Sequence, residues 1–354
     1  MKIFLVSNMY PSLGDPLFGV FVKNIKEGLE KINVDFSSIS CIEGKSGNIF
    51  QKTGKYLRYF GSIISNYSKG NYDLIYIHYL SINSILFRLI FLLYPIKSIV
   101  VNVHGSDVMK EHFVMRFFNT YLLRKAQLIV VPSEYFKEEM LLRYRFLESK
   151  DIFVSPSGGV NTDVFYEKHN KQNNELILGF VSRIDNGKGW DLFLMLINDL
   201  KKMNLAVKGI IVGDGLERVK LLALINTLQI QDVVDYRGLL SQDKLIDMFN
   251  QMDLFIFPTL LCESLGLVGL ESITCGTPVI ASNIGGPSGY IIDGVNGYKF
   301  KPGSSKELTS KVLQFIELDE AGKEKIRIQA IKTSIEYSHQ IVIKKLHQKL
   351  LELC

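Results

Sequence analysis

The chain has 354 residues, which is long for one core and points to two domains of roughly 150–200 residues each. Hydrophobic residues make up 47% and charged residues 22% of it, a balance that excludes a disordered chain. The net charge of +5 belongs to the first half: residues 1–165 hold 19 Lys/Arg against 14 Asp/Glu, while residues 166–354 hold 22 of each. That excess is too mild for a dedicated nucleic-acid binder, and no DNA- or RNA-binding motif accompanies it. An anionic small molecule or a membrane surface suits it better. Cys41, Cys262, Cys275 and Cys354 are scattered without a CxxC pair, so neither a disulfide framework nor a zinc module is expected. The apolar start is too short for a signal peptide. The stretch from Ile85 to Val101 is broken by Arg88, Pro95 and Lys97, which argues against a membrane span.

Short β-branched runs alternate with longer helical patterns along the whole chain. In the first half, strands are predicted at Lys2–Ser7, Val34–Ser40, Asp73–His78, Ser98–His104, Gln127–Val131 and Ile152–Val154. Helices are predicted near 20–32, 50–69, 82–94, 112–125 and 134–146, the last with Ser133 as its N-cap. The second half repeats the pattern. Its strands are predicted at Leu176–Val181, Val207–Val212, Val233–Arg237, Leu254–Phe257 and Pro278–Ala281, and its helices near 189–202, 215–228, 242–251, 267–275 and 304–317. Near-continuous apolar strands separated by helices indicate βαβ units and parallel sheets covered on both faces. Ser155–Val160 and the polar stretch 167–174 read as a linker, and 338–353 as a final helix. The expected division is a first domain over 1–165, a second over 166–335, and a tail helix over 336–354. Ligands of such folds bind outside the carboxyl ends of the strands.

The richest segment is Glu263-Ser264-Leu265-Gly266-Leu267-Val268-Gly269-Leu270-Glu271, which follows the strand Leu254–Phe257. Glu263 stands on a loop at a strand's carboxyl end, and Gly266 permits close backbone approach to a ligand. A helix starting near Leu267 aims free N–H groups at an anion. Read alone, the two carboxylates fit equally well as ordinary partners of a helix N-terminus. Gly213-Asp214-Gly215 lacks the full GxGxxG pattern, so a dinucleotide cofactor is a poor fit.

This segment resembles the E-x7-E signature of the retaining GT-B glycosyltransferases, family 4-like, or glycosyl transferases group 1. The resemblance extends through Gly179-Phe180-Val181-Ser182-Arg183, Lys188-Gly189, Val212-Gly213-Asp214-Gly215, Gly276-Thr277-Pro278-Val279-Ile280, Gly285-Gly286 and Asp293-Gly294-Val295-Asn296-Gly297. It implies an α/β fold of two facing Rossmann-like domains, with an interdomain cleft and a C-terminal helix crossing back to the first domain. It further implies that Glu263 contacts the transferred sugar and Glu271 the ribose. The backbone of Gly266, Leu267 and Val268 would bind sugar and phosphate. Arg183 and Lys188 would hold the diphosphate, whose charge grows as it leaves. Gly213 would lie near the nucleotide, with Arg237 and Leu239 bordering the base. In the first domain, His104 within His104-Gly105-Ser106-Asp107 would reach a sugar hydroxyl. Gly19, in the stretch Pro11–Val22, would open the first helix near the phosphates.

Two departures stand out. Gly289 replaces a Glu common in the family, and the chain has no Asp-x-Asp, the motif with which metal-dependent GT-A enzymes hold their nucleotide. The resemblance therefore implies a retaining, metal-independent hexosyltransferase without a cofactor. Its donor would be a nucleotide-diphosphate sugar, UDP favoured over GDP. Its acceptor would be a glycan or lipid-linked sugar in surface polysaccharide synthesis. The expected place is the cytoplasm, at the inner face of the membrane if the basic helix with Phe113-Val114-Met115-Arg116-Phe117-Phe118, Arg124 and Lys125 docks there. A GT-B sugar-nucleotide epimerase and a non-catalytic sugar-nucleotide-binding subunit are the alternatives.

Overall fold

The computed structural model describes residues 1–16, 18–109, 111–168 and 175–354. Leu17, within the early glycine-bearing stretch, and residues 169–174 of the expected linker lie outside the described residues. The chain forms two compact units: Met1–Gly159 together with His339–Cys354, and Val160–Ser338. Val160 and Phe165 are buried in the second unit's core, which draws the boundary ahead of residue 166.

The first unit runs β1 (Lys2–Tyr10), α1 (Val20–Glu30), β2 (Asp35–Glu43), α2 (Ile49–Lys69), β3 (Leu74–His78), α3 (Ser81–Leu93), β4 (Ile99–Asn102), α4 (Ser106–Met109), α5 (Phe113–Lys125), β5 (Leu128–Val131), α6 (Glu134–Arg143) and β6 (Asp151–Val154). All strand pairs are parallel, in the order β2-β1-β3-β4-β5-β6. Because successive strand residues point to opposite faces, each strand feeds two cores. Phe4, Ile75, Val101 and Ile129 pack with α2, α3, α5 and α6. Leu5, Tyr76, Val100 and Val130 pack with α1 on the other face. Ser133 caps α6, its Oγ accepting from the Phe136 N–H at 3.1 Å.

The second unit runs β7 (Leu176–Val181), α7 (Trp190–Lys202), β8 (Val207–Val212), α8 (Arg218–Leu228), β9 (Val234–Tyr236), α9 (Gln242–Gln251), β10 (Leu254–Phe257), α10 (Leu267–Thr274), β11 (Val279–Ser282), α11 (Pro287–Tyr290), β12 (Gly297–Phe300), α12 (Ser305–Ile316) and α13 (Glu320–Ile335). Its parallel sheet has the order β12-β11-β10-β7-β8-β9, with the reversal of winding between β7 and β10. That reversal leaves a crevice at the strands' carboxyl ends, where ligands of doubly wound sheets bind. The last helix, α14 (His339–Leu351), belongs to the first unit, where Ile343, Leu346 and Leu350 join the core against α1. His339 Nδ1 lies 2.7 Å from the carbonyl oxygen of Gly158 and Lys349 Nζ 2.8 Å from Asp151, anchoring both ends.

Four elements depart from the sequence reading. The strand expected to reach His104 ends at Asn102, because Asp107 takes the His104 N–H into a turn at 3.1 Å. The single-turn helices α4 and α11 and the edge strand β12 are additional. Among the described residues no helix is long and apolar enough to cross a membrane.

Candidate active site

In the second unit, the loops that follow β7, β8, β10 and β11 meet backbone to backbone at the winding reversal. Gly213, at φ +136°, lies so close to Ser182 that a Cβ there would stand 1.7 Å from its carbonyl oxygen. The Leu260 N–H donates to Gly187 O at 2.8 Å, and the Gly286 N–H donates to Glu263 O at 2.7 Å. The crevice is therefore walled by backbone that only small residues allow.

Two expected residues, 75 positions apart, meet there. Lys188 Nζ stands 2.5 Å from Glu263 Oε1, with the two side chains 12% and 22% exposed. The Thr259 hydroxyl donates to the same Glu263 oxygen at 3.4 Å and accepts from the Leu261 N–H at 3.1 Å. An ammonium has three N–H donors, so Lys188 keeps two beyond this pair. Arg183 is mostly exposed and pairs with Asp185 at 2.8 Å, which holds it over the β7 loop.

Gly266 is the N-cap of α10, at φ +78°. A Cβ at this position would meet Pro287 at 2.6 Å and Phe257 at 2.9 Å. Leu267 and Val268 occupy the first helical positions, are half-exposed, and have no carbonyl four residues back within the helix to accept from their N–H groups. The positive end of the helix thus opens beside the Lys188–Glu263 pair. Glu271 lies one turn further in, 7% exposed, and its carboxylate accepts no hydrogen bond from any described residue. Burial pushes its carboxyl up to about 8. A buried carboxylate without a partner costs stability, and a ligand hydroxyl would satisfy it.

Arg237 and Leu239 sit apart from this cluster, after β9 at the sheet edge. Arg237 pairs with Asp235 at 2.5 Å, and Leu239 is exposed. Their neighbours Gly238 and Tyr236 join it through Gly213, whose N–H donates to Gly238 O at 2.8 Å and whose carbonyl accepts from Tyr236 OH at 3.0 Å. Gly289 is exposed, with nothing within 4 Å of a Cβ placed there, so the missing Glu leaves open space and not a filled one.

In the first unit, Gly19 caps α1 at φ +74°, its Cα so close to Met9 that a Cβ would stand 2.6 Å from the Met9 carbonyl. Phe21, two residues on, packs tilted against His104 with ring centroids 4.5 Å apart, and Tyr79 does the same from the loop after β3. Gly19 and His104 are thereby brought together at the carboxyl ends of β1, β3 and β4, where this sheet reverses. Asp107 accepts from the N–H groups of Leu80, His104 and Gly105 at 3.1, 3.1 and 2.9 Å, tying these loops together. Its carboxyl is raised to about 6 by burial, against the pull of those bonds.

His78 is a member of this cluster that the sequence reading passed over as a strand residue. Its Nδ1 lies 3.1 Å from His104 Nε2, and its own Nε2 is buried with no partner among the described residues. Burial holds both imidazoles well below the usual histidine range, His104 at about 3, so both are neutral at physiological pH. The two tautomers differ in whether the bare His78 Nε2 is a donor or an acceptor, and we assign it as the acceptor. His78 then donates from Nδ1, and the His104 proton sits on Nδ1. That N–H donates to no described residue. Only the aromatic crowding at the end of β3, Tyr76-Ile77-His78-Tyr79, hints at this in sequence. No group of three or more His, Cys, Asp or Glu among the described residues could hold a metal ion.

The sequence model of the glycosyl transferases group 1 family matches residues 161–333, the whole of this crevice. An uncharacterized glycosyltransferase of Methanocaldococcus jannaschii is 25% identical over 339 residues, 91% of this chain and 90% of that one. Among solved structures, sucrose-phosphate synthase from Thermosynechococcus elongatus superposes with a TM-score of 0.80 at 16% identity, covering 100% of this chain and 99% of its own. Anabaena HepE, solved in complex with UDP, gives 0.77 at 18% identity, covering 99% and 100%. The fold they share is GT-B. This chain is a glycosyltransferase, and it belongs to the glycosyl transferases group 1.

Proposed function

We propose that the enzyme moves a hexosyl unit from a nucleotide-diphosphate sugar, a UDP-sugar first, to a glycan or lipid-linked acceptor of surface polysaccharide synthesis, with retention of anomeric configuration. The observation that carries this reading is Glu271, a buried carboxylate without a partner among the described residues, one turn inside the open end of α10. A ribose supplies the neutral hydroxyl donors that such a group lacks, and a diphosphate next to it would meet the N–H groups of Leu267 and Val268. The bound UDP of the HepE structure is in keeping with that ligand class.

The remaining residues take roles from their chemistry. Lys188 offers its two spare N–H donors, and Arg183 its guanidinium, to the departing diphosphate. Fixed cations there act most strongly when the charge is greatest, in the transition state. The reaction as proposed therefore needs no metal ion and no cofactor. The carboxylate of Glu263, held in place by Lys188 and Thr259, faces the transferred sugar. In the first unit, the Nδ1–H of His104 donates to a sugar hydroxyl, and the first N–H groups of α1 beyond Gly19 take phosphate. Gly213 allows the close approach of the nucleotide, while Arg237 and Leu239 stand toward its base. With no protein base needed at the reacting carbon, the leaving phosphate oxygen accepts the acceptor's proton on the face it departs from.

Calorimetric titration with UDP and GDP in EDTA tests this directly. UDP should bind without added metal and Glu271→Gln should weaken it. Binding that needs magnesium or manganese, or that survives Glu271→Gln unchanged, would overturn the assignment.

A further inference from the structure

The single-turn helix α11 clasps the open end of α10. Pro287 packs on Gly266, and Tyr290, at the other end of the same turn, donates its hydroxyl to the Gly266 carbonyl at 2.8 Å. Among the described residues this is the hydroxyl's one hydrogen bond. To make it, the oxygen lies against Gly269, where a Cβ would stand 2.2 Å away. Glycine inside a helix is destabilising relative to alanine, so α10 gives up stability at Gly269 to admit a phenol oxygen. The tyrosine is firmly held. It is buried, its ring meets that of Tyr337 edge-on at 5.9 Å, and its carbonyl accepts from Asn296 Nδ2 at 2.8 Å. Burial first, and then the nearby Tyr337, Glu263 and Glu271, hold its phenol well above the usual tyrosine range, so the hydroxyl stays protonated and donates.

The Gly266 carbonyl and the Leu267 N–H belong to one planar trans peptide, whose oxygen and hydrogen point in opposite directions. Fixing the oxygen on Tyr290 therefore fixes the direction of the Leu267 N–H, one of the two proposed to meet the donor diphosphate. Without that bond the peptide has more freedom to turn, because Gly266 sits at φ +78° and glycine tolerates either sign of φ. The same carbonyl also accepts from the Gly269 N–H at 3.0 Å. Hydrogen bonds in a chain polarise one another, so the two bonds taken up at the oxygen make the Leu267 N–H a stronger donor to an anion. A phenylalanine would fill the ring's space equally well, which leaves the oxygen with this one task.

We propose that Tyr290 is a positioning residue for the donor: by holding the Gly266 carbonyl, it aims the Leu267 N–H at the diphosphate. The proposal rests on the nucleotide-diphosphate reading of the crevice, and titration of the wild-type chain with UDP separates the two. Tyr290→Phe removes one oxygen and keeps the ring. UDP affinity should fall on the order of two- to tenfold, the worth of one neutral hydrogen bond. Uridine, which has the ribose but no phosphate, should bind variant and wild type alike. In the free protein, labelled with carbon-13 at glycine carbonyls and nitrogen-15 in leucine, the Leu267 amide signal should move in the variant. Those of Leu216 and Leu239, which also follow glycines, should not. Gly269→Ala, which displaces the hydroxyl, should weaken UDP by a similar factor, and the double variant should be no weaker than either alone, since both remove the same bond. If the wild type binds no UDP, the donor reading and this proposal fail together. Wild-type binding that Glu271→Gln weakens and Tyr290→Phe does not would overturn the role of Tyr290 and keep the donor reading. Equal losses for UDP and uridine, losses that add in the double variant, or a Leu267 amide that stays in place would show a tyrosine that only packs, and would overturn the proposal as well.

Discussion

Replacing Glu271 with Gln should make the protein more stable while weakening its hold on UDP, and the gain should depend on pH. The carboxyl is 7% exposed, and burial raises it from 4.5 to about 8. For an acid whose folded pKa lies above its unfolded one, the folded state holds the proton more tightly. Stability relative to a neutral side chain is therefore intact below about pH 4.5 and falls as pH climbs toward 8. At about 1.36 kcal/mol per unit, the penalty is under about 1 kcal/mol at pH 5 and about 4 kcal/mol at pH 8. Gln is close in volume, and because the carboxylate accepts no hydrogen bond from a described residue, the change breaks none of them. Urea denaturation at the two pH values should then show the variant ahead by about 3 kcal/mol more at pH 8 than at pH 5. In a thermal scan the same difference is about 6–12 °C for a unit of this size. Saturating UDP should narrow the gap, since a ligand that satisfies the carboxylate stabilises only the wild type. An advantage of the variant that does not change with pH would refute the buried, unpartnered state of Glu271. A pH-dependent advantage with unaltered UDP affinity would keep the burial and remove the ligand role.

Lys188→Met and Glu263→Gln should each destabilise, because each leaves a mostly buried charge or its partner unmet, and the double variant should recover about 1–3 kcal/mol relative to their sum. Additivity within about 0.5 kcal/mol in the denaturation cycle would show that the 2.5 Å pair is a surface contact without consequence. His78→Phe should keep the aromatic packing on Tyr76 but release the His104 tautomer, so nitrogen-15 spectra of the imidazoles should change from one Nδ1–H form to a mixture. A His104 that keeps a single Nδ1–H form in the variant would contradict the tautomer assignment.

The fold was legible because parallel strands buried on both faces are written as unbroken apolar runs. Leu176–Val181, Val207–Val212 and Leu254–Phe257 have the same limits in sequence and structure. The elements that escaped are those whose stability is not local. Gly297-Tyr298-Lys299-Phe300 carries a glycine and a lysine in four residues and reads as part of a turn. It becomes a strand only because β11 offers it an edge to pair with. The turn of α4 exists because the carboxylate of Asp107 gathers three backbone N–H groups around itself, and that of α11 because Pro287 presets its first residue. Neither leaves an apolar period to be seen.

The site was legible by pattern but not by state. A motif can mark Glu263, Lys188 and Glu271 as a set, yet what separates them physically is which has a partner, and partners are supplied by loops far apart in the chain. Glu263 and Lys188 neutralise one another across the meeting of the β7 and β10 loops. Glu271, eight residues further along the same segment, has been carried inside by α10, where its carboxylate accepts from no described residue. The same asymmetry holds in the first unit, where His104 is recognisable from its loop while His78 is hidden among the apolar residues of β3. Only the three-dimensional contact between their rings reveals that the two histidines share a hydrogen bond. Stability alone would have removed such features, since an apolar residue at 271 and another at 78 would each relieve a buried polar atom of its cost. That cost, borne separately in each unit, is the physical reason to test Glu271 and His78 as groups that a ligand or a neighbouring side chain must satisfy.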